Sequence, residues 1–202
     1  MEFKKIQLNG FKSFAEKADF LIEDGLTGIV GPNGCGKSNI VESLRWAMGE
    51  TSAKSMRGSG MEDVIFSGTS NKASKNIAEV TIEVENKDKE GPVQYRDHDQ
   101  IQIKRKIEKD KGSKFYINGK EVRARDAQMF FADLSTGAHS PSIISQGRIG
   151  GLVTAKPTDR RAILEEAAGI SGLHVRRHEA ELRLGAAENN LKRADELRRQ
   201  QE

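Results

Sequence analysis

The chain has 202 residues, a formal net charge of +3, 36% hydrophobic residues and 20 glycines, the make-up of one globular domain with an appendage rather than of a disordered or fibrous chain. No apolar run approaches the roughly 20 residues that span a bilayer, and the start MEFKKIQLNG lacks a signal-peptide core, so a cytoplasmic protein with no membrane partner is expected. The one cysteine excludes an internal disulfide, and the mild basic charge permits a polyanionic partner without requiring one.

In chain order, residues 3–8 (FKKIQL) and 18–22 (ADFLI) read as short strands. The run 26–30 (LTGIV), entered through the Asp24-Gly25 turn signal, is expected to be a buried strand. GPNGCGKSNI at 31–40 then matches G-x-x-x-x-G-K-S/T through Gly31, Gly36, Lys37 and Ser38. In that pattern glycines let the backbone curl so that N–H groups point at phosphate oxygens, while a lysine reaches the outer phosphates and a hydroxyl ligates Mg²⁺. Lys37 and Ser38 fill those two parts, and Pro32, Asn33, Gly34, Cys35 and Asn39 complete the loop. Ile40, Leu44, Ala47 and Met48 follow at helical spacing, so the loop opens a helix whose dipole and free N–H groups face the phosphates. This context makes nucleotide binding the firmest functional reading, against a glycine-rich turn that binds nothing. Cys35 sits where a helix N-terminus and Lys37 could activate its thiol; a small side chain at a permissive loop position is the simpler account.

In 79–85 (EVTIEVE), Val80, Ile82 and Val84 alternate with polar residues, which predicts a strand with one buried and one wet face. After a polar stretch, alternation resumes in 101–107 (IQIKRKI), with Ile101, Ile103 and Ile107 on one face and Arg105 interrupting it. The turn KDKGSK and the Asn118-Gly119 hairpin signal complete three successive antiparallel strands.

From Arg125, the segment DAQMFFADLSTG reads as a helix stopping at Gly137. Pro157 at a first helical position opens another, with Ile163, Leu164, Ala167 and Ala168 as its stripe and Gly169 and Gly172 as breakers. Beyond Gly172 the chain is dense in mixed charge, and Ala180, Leu184, Ala187, Leu191 and Ala194 are spaced 4, 3, 4, 3, a short heptad seam. That seam has no partner in the sequence, and the terminus reads as cut within an element; a solvated surface helix is the plainer alternative.

Hydrolysis asks for more than a cradle: a carboxylate to hold Mg²⁺ and a group to orient the attacking water. Asp133 follows an apolar run, but Phe130, Phe131 and Leu134 fit helical spacing and no second acid follows. Glu165 and Glu166 fall within the predicted helix. The chain therefore reads as a phosphate binder without the means of splitting phosphates.

Five blocks in this order, GFKSFAEKA, GPNGCGKSNIVESLRWAMGE, KSMRGSGMEDVIFSGT, HSPSIISQGRI and PTDRRAILEEAAGI, together resemble the N-terminal head segment of bacterial structural-maintenance-of-chromosomes (SMC) proteins. The resemblance implies an α/β fold, the N-terminal lobe of an ABC-type P-loop ATPase head with a mixed or antiparallel sheet, over 1–170, and the root of a coiled-coil arm over 171–202. It implies ATP and Mg²⁺ as cofactors. The acidic Mg²⁺ strand, its catalytic glutamate and the signature loop would lie in a C-terminal lobe; LSTGA at 134–138 imitates a signature loop but precedes Gln146, whereas the family's signature follows that glutamine.

Carried over by resemblance, Gly31 to Asn39 hold the phosphates, Lys37 acts on them, Ser38 ligates Mg²⁺, and Gln146 contacts Mg²⁺ and the attacking water. Arg57 matches an arginine beside the nucleotide that acts like an in-cis arginine finger, a task suited to a permanently charged bidentate group. Lys12, Ser13 and Phe14 match a block near the nucleotide, and Cys35 departs from the serine or alanine expected there. The implied partners are the C-terminal lobe, a second SMC subunit, a kleisin with its accessory protein, and DNA. Lys104, Lys106, Arg176, Arg177 and Arg183 are candidate DNA contacts, each equally readable as a solvated side chain. The function implied is ATP-dependent DNA tethering in chromosome condensation and segregation, with the isolated segment inactive. The competing readings are a DNA-repair head of the Rad50, RecN or RecF kind, a self-contained P-loop kinase, and a scaffold that uses nucleotide only to fold.

Overall fold

A computed structural model of the chain describes residues 1–87, 89, 91–134, 143–145, 148–168 and 171–201. The strands β1 (Glu2–Asn9), β2 (Ala18–Leu21), β3 (Ile77–Glu85), β4 (Gln100–Glu108), β5 (Gly112–Ile117) and β6 (Lys120–Val122) form one six-stranded sheet in the order β2-β1-β3-β4-β5-β6. Every neighbouring pair is antiparallel. The period-two runs bury the residues expected: Val80, Ile82 and Val84 face Arg105, Ile103 and Ile101 across the β3–β4 pair. Asn118 and Gly119 adopt φ of 48° and 79°, the two left-handed residues that a type I′ hairpin requires. That turn returns the chain as β6, the second strand that the hairpin signal implies.

Helices α1 (Lys37–Ala47) and α2 (Ala124–Asp133) close the apolar face, α1 over β3 and β4 and α2 over β5. The buried residues of α1 are Ile40, Glu42, Ser43, Trp46 and Ala47, whereas Leu44 of the expected stripe is only half-buried. Trp46 sets this rotation. It is fully buried with its ring 5.4 Å from that of Phe11, and sealing an aromatic ring from water outweighs burying a leucine.

Arg105, the residue that breaks the β4 stripe, is 3% exposed. Its guanidinium lies 4.5 Å from the Trp46 ring centroid and 4.7 Å from that of Phe115. It donates to the Trp46 and Glu50 carbonyls at 2.7 Å each and to Ser113 Oγ at 2.8 Å, which ties the C-terminal end of α1 to the sheet. Burial pushes the guanidinium down to about 10, opposed by the charge of Glu50, so it stays a cation at neutral pH.

Several expectations change. Residues 26–30 form no strand: they join none of the six, and Leu26 and Val30 are 93% and 92% exposed. A strand exists through hydrogen bonds to a neighbour, and the antiparallel sheet offers this segment none. The helix expected to run to Gly137 ends at Asp133, and residues 135–142 lie outside those described. Two further helices follow, α3 (Arg148–Thr154) and α4 (Pro157–Ala167), the latter starting at the proline as expected. Leu164 of the α4 stripe is exposed. Gly172 does not break a helix; it lies within the 31-residue α5 (Ser171–Gln201). The seam residues Ala180, Leu184, Ala187, Leu191 and Ala194 are all exposed.

Candidate nucleotide site

The loop at 31–36 runs from the unpaired segment into α1. Gly34 and Gly36 take φ of 83° and 94°, the left-handed region in which a Cβ is strained. Gly36 is the N-cap of α1; no side chain caps the helix and no acid stands in its first turn. Most helices satisfy their first N–H groups with Ser, Thr, Asp or Asn; here the positive helix end is left to an outside anion. Lys37 Nζ donates to the Gly31 and Pro32 carbonyls at 2.6 Å each, so the cation lies against the loop. Ser38 is exposed beside it, as are Pro32, Asn33 and Cys35 along the rim. This donor set fits a polyphosphate with its divalent cation.

Behind the loop, a Cβ on Gly36 would stand 2.9 Å from Ser13 Oγ and 3.3 Å from the Phe14 ring. Ser13 Oγ accepts from Asn39 Nδ2 at 2.8 Å. The other amide atom, Asn39 Oδ1, accepts from Arg57 Nη2 at 2.8 Å. Arg57 Nε lies 2.5 Å from Glu42 Oε1, and Lys12 Nζ bonds both Glu42 Oε2 and the Met56 carbonyl. Ser13, Phe14 and Arg57 are thus brought to the loop, whereas Lys12 is turned onto Glu42. The turn after Arg57 is closed by Asp63, which accepts from the Ser59 N–H at 2.6 Å, Ser59 Oγ at 2.8 Å and the Gly60 N–H at 2.9 Å. Those bonds, the Gly60 N–H foremost, hold its carboxyl below the usual carboxylate range.

Glu42 escaped the sequence reading because it belongs to no motif and lies off the predicted apolar stripe. Its one available signal is its spacing, i+3 from Asn39 and i+4 from Ser38, which sets it on their side of the helix.

Gln146 lies outside the described residues. Lys104 and Lys106 lie together on the wet face of β4, away from the loop's helix; Lys106 Nζ is 3.6 Å from Glu79 Oε1. Arg177 pairs with Glu181 at 2.8 Å, one turn along α5. Arg183 is exposed on the same helix, which also carries Arg176, whose side chain lies outside those described.

The RecF/RecN/SMC N terminal domain family matches residues 2–147. The chain is 56% identical to the chromosome partition protein Smc of Rhodopseudomonas palustris over 98% of its own length, and spans 17% of that protein. Among solved structures it is similar to the Smc head domain with an extended coiled coil bound to the C-terminal domain of ScpA, from Pyrococcus furiosus. That similarity has a TM-score of 0.74 and 33% identity over 96% of this chain and 48% of that one. A second structure, described in terms of ATP-driven dimerization and DNA-stimulated activation of SMC ATPases, gives a TM-score of 0.70 and 31% identity over 83% of this chain and 99% of that one. The chain belongs to the RecF/RecN/SMC N-terminal family, and its fold is that of an SMC-type ATPase head in its N-terminal lobe.

Proposed function

We propose that this chain is the ATP-binding part of an SMC head which, completed by a C-terminal lobe and paired with a second head, hydrolyses ATP to drive DNA tethering in chromosome condensation and segregation. The observation that carries the reading is the loop itself: an uncapped helix end, two left-handed glycines, Lys37 on the loop carbonyls and Ser38 exposed beside it. In it the backbone N–H groups of 33–37 grip the triphosphate, Lys37 neutralises the outer phosphates and Ser38 holds Mg²⁺. Arg57 adds a fixed positive charge from the side, and Gln146 orients the water. ATP bound to Mg²⁺ supplies the bond that is split.

The lobe occupies 1–170 and the arm begins at 171, a division supported by α5 starting at Ser171. The exposed seam of α5 is covered by a second helix of the arm. Partners are a second SMC subunit, DNA, and a kleisin with its accessory protein; ScpA on the Pyrococcus head supports the kleisin. Lys104, Lys106, Arg176, Arg177 and Arg183 make sequence-independent phosphate contacts with DNA, which salt weakens steeply. The family alone also admits RecF and RecN, but 56% identity to a chromosome partition protein favours the SMC reading. A protein working on the chromosome acts in the cytoplasm, and among the described residues no helix is long and apolar enough to cross a membrane.

The test is turnover. Residues 1–202 alone should bind ATP weakly and hydrolyse almost none, and adding the C-terminal lobe should restore DNA-stimulated hydrolysis. Brisk turnover by the isolated chain would refute the shared-site reading, and phosphate transfer to a nucleoside would favour a kinase.

A further inference from the structure

Glu42 is 8% exposed, yet it carries a carboxylate that meets two cations from two different loops. Lys12 Nζ takes one oxygen and Arg57 Nε the other. Both cationic residues stand in the left-handed backbone region, Lys12 at φ 46° and Arg57 at φ 53°. Non-glycine residues persist there only where their surroundings over-determine them, and Glu42 is the acid the two share. The Arg57 side chain is 58% exposed, so apolar packing does little to fix it. Its guanidinium is instead gripped at two points on one side of α1: Nε by Glu42 and Nη2 by Asn39. Asn39 directly follows Ser38, so the grip holds the arginine's outer edge at the mouth of the phosphate loop.

We propose that Glu42 is the positioning residue for Arg57: by anchoring Nε, it sets the plane of the guanidinium and keeps Nη2 beside Asn39 at the phosphate loop. The proposal rests on the reading of Arg57 as the arginine of the nucleotide site. Glu42 does not touch the nucleotide and acts through Arg57 alone. The Lys12 contact serves the same end, since the Lys12 ammonium also bonds the Met56 carbonyl, the peptide immediately before Arg57.

The experiment is a double-mutant cycle in the full-length protein with DNA, reading kcat and, separately, ATP affinity. Glu42→Gln should lower kcat about tenfold while ATP affinity stays within about twofold, and in an Arg57→Ala background it should change kcat by less than about twofold. Glu42→Asp, which keeps the carboxylate, should recover much of the loss. Equal losses from Glu42→Gln in both backgrounds, or a loss confined to affinity, would overturn the proposal while leaving Arg57's role intact. An Arg57→Ala variant with normal turnover would overturn both. Should Glu42→Gln fail to fold with Lys12 left unpaired, the charge-balanced pair Lys12→Met and Glu42→Gln takes its place in the cycle, judged by the same outcomes.

Discussion

Gly36 and Ser13 approach so closely that a single added methyl group on the glycine would stand 2.9 Å from the serine hydroxyl. That hydroxyl cannot simply swing aside without losing the Asn39 amide. The glycine therefore meets two separate demands, a left-handed backbone at φ 94° and a close approach by the segment after β1.

Gly36→Ala should then cost about 1–2 kcal/mol in backbone strain, with the contact adding to it. Gly36→Ala should weaken ATP binding by about tenfold or more, measured by titration of the head completed with its C-terminal lobe. Gly34→Ala shares the strain but has open space around its added carbon, so it should lose less. Equal losses would show that the approach to Ser13 is unimportant.

Arg105 provides a stability test distant from the phosphates. Arg105→Leu leaves the Trp46 and Glu50 carbonyls without the donor they now use, and should cost about 3 kcal/mol in urea unfolding. Arg105→Lys keeps the charge but not the forked geometry that reaches both carbonyls and Ser113, and should lose roughly half as much. A leucine variant as stable as the parent would show that the stacked rings alone hold the end of α1.

Asp63 gives the turn after Arg57 a pH dependence of defined sign. Its carboxyl is held below the ordinary 3.8 by the Gly60 and Ser59 bonds, so the folded state favours the carboxylate. That contribution is fully present above the ordinary value and is lost as pH falls through the lowered one. Carboxyl chemical shifts should therefore titrate below 3.8, and the Ser59 and Gly60 amide shifts should move with them. Asp63→Asn should abolish the amide transition at every pH.

The segment 26–30 should be the least protected part of the isolated chain close to the loop. Its amides should exchange within about tenfold of unfolded rates, although Gly31 follows it directly. On adding the C-terminal lobe, the same amides should slow by about a hundredfold or more. Unchanged exchange in the completed head would mean that this segment is not a strand there either.

What the sequence determined was whatever depends on near neighbours. The alternation in β3 and β4 named the buried isoleucines and valines, Asn118-Gly119 announced the hairpin, Pro157 marked the start of α4, and the glycine-lysine spacing drew the loop. Each of these is fixed by local backbone geometry or by a period of two, so a short window suffices.

Tertiary structure decided whatever needs a partner far along the chain. LTGIV has the composition of a strand, but strandness is a relation to a neighbour, and the sheet built here gives it none. Arg105 spoils an apolar stripe until Trp46, 59 positions away, comes over it with a backbone carbonyl that accepts its hydrogen bond. Glu42 reads as an ordinary helix acid until the turns carrying Lys12 and Arg57 converge on its two oxygens. Periodicity tells which side of an element is wet; only packing of distant segments tells which charges meet there, because an ion pair depends on separation in space and not on separation in sequence.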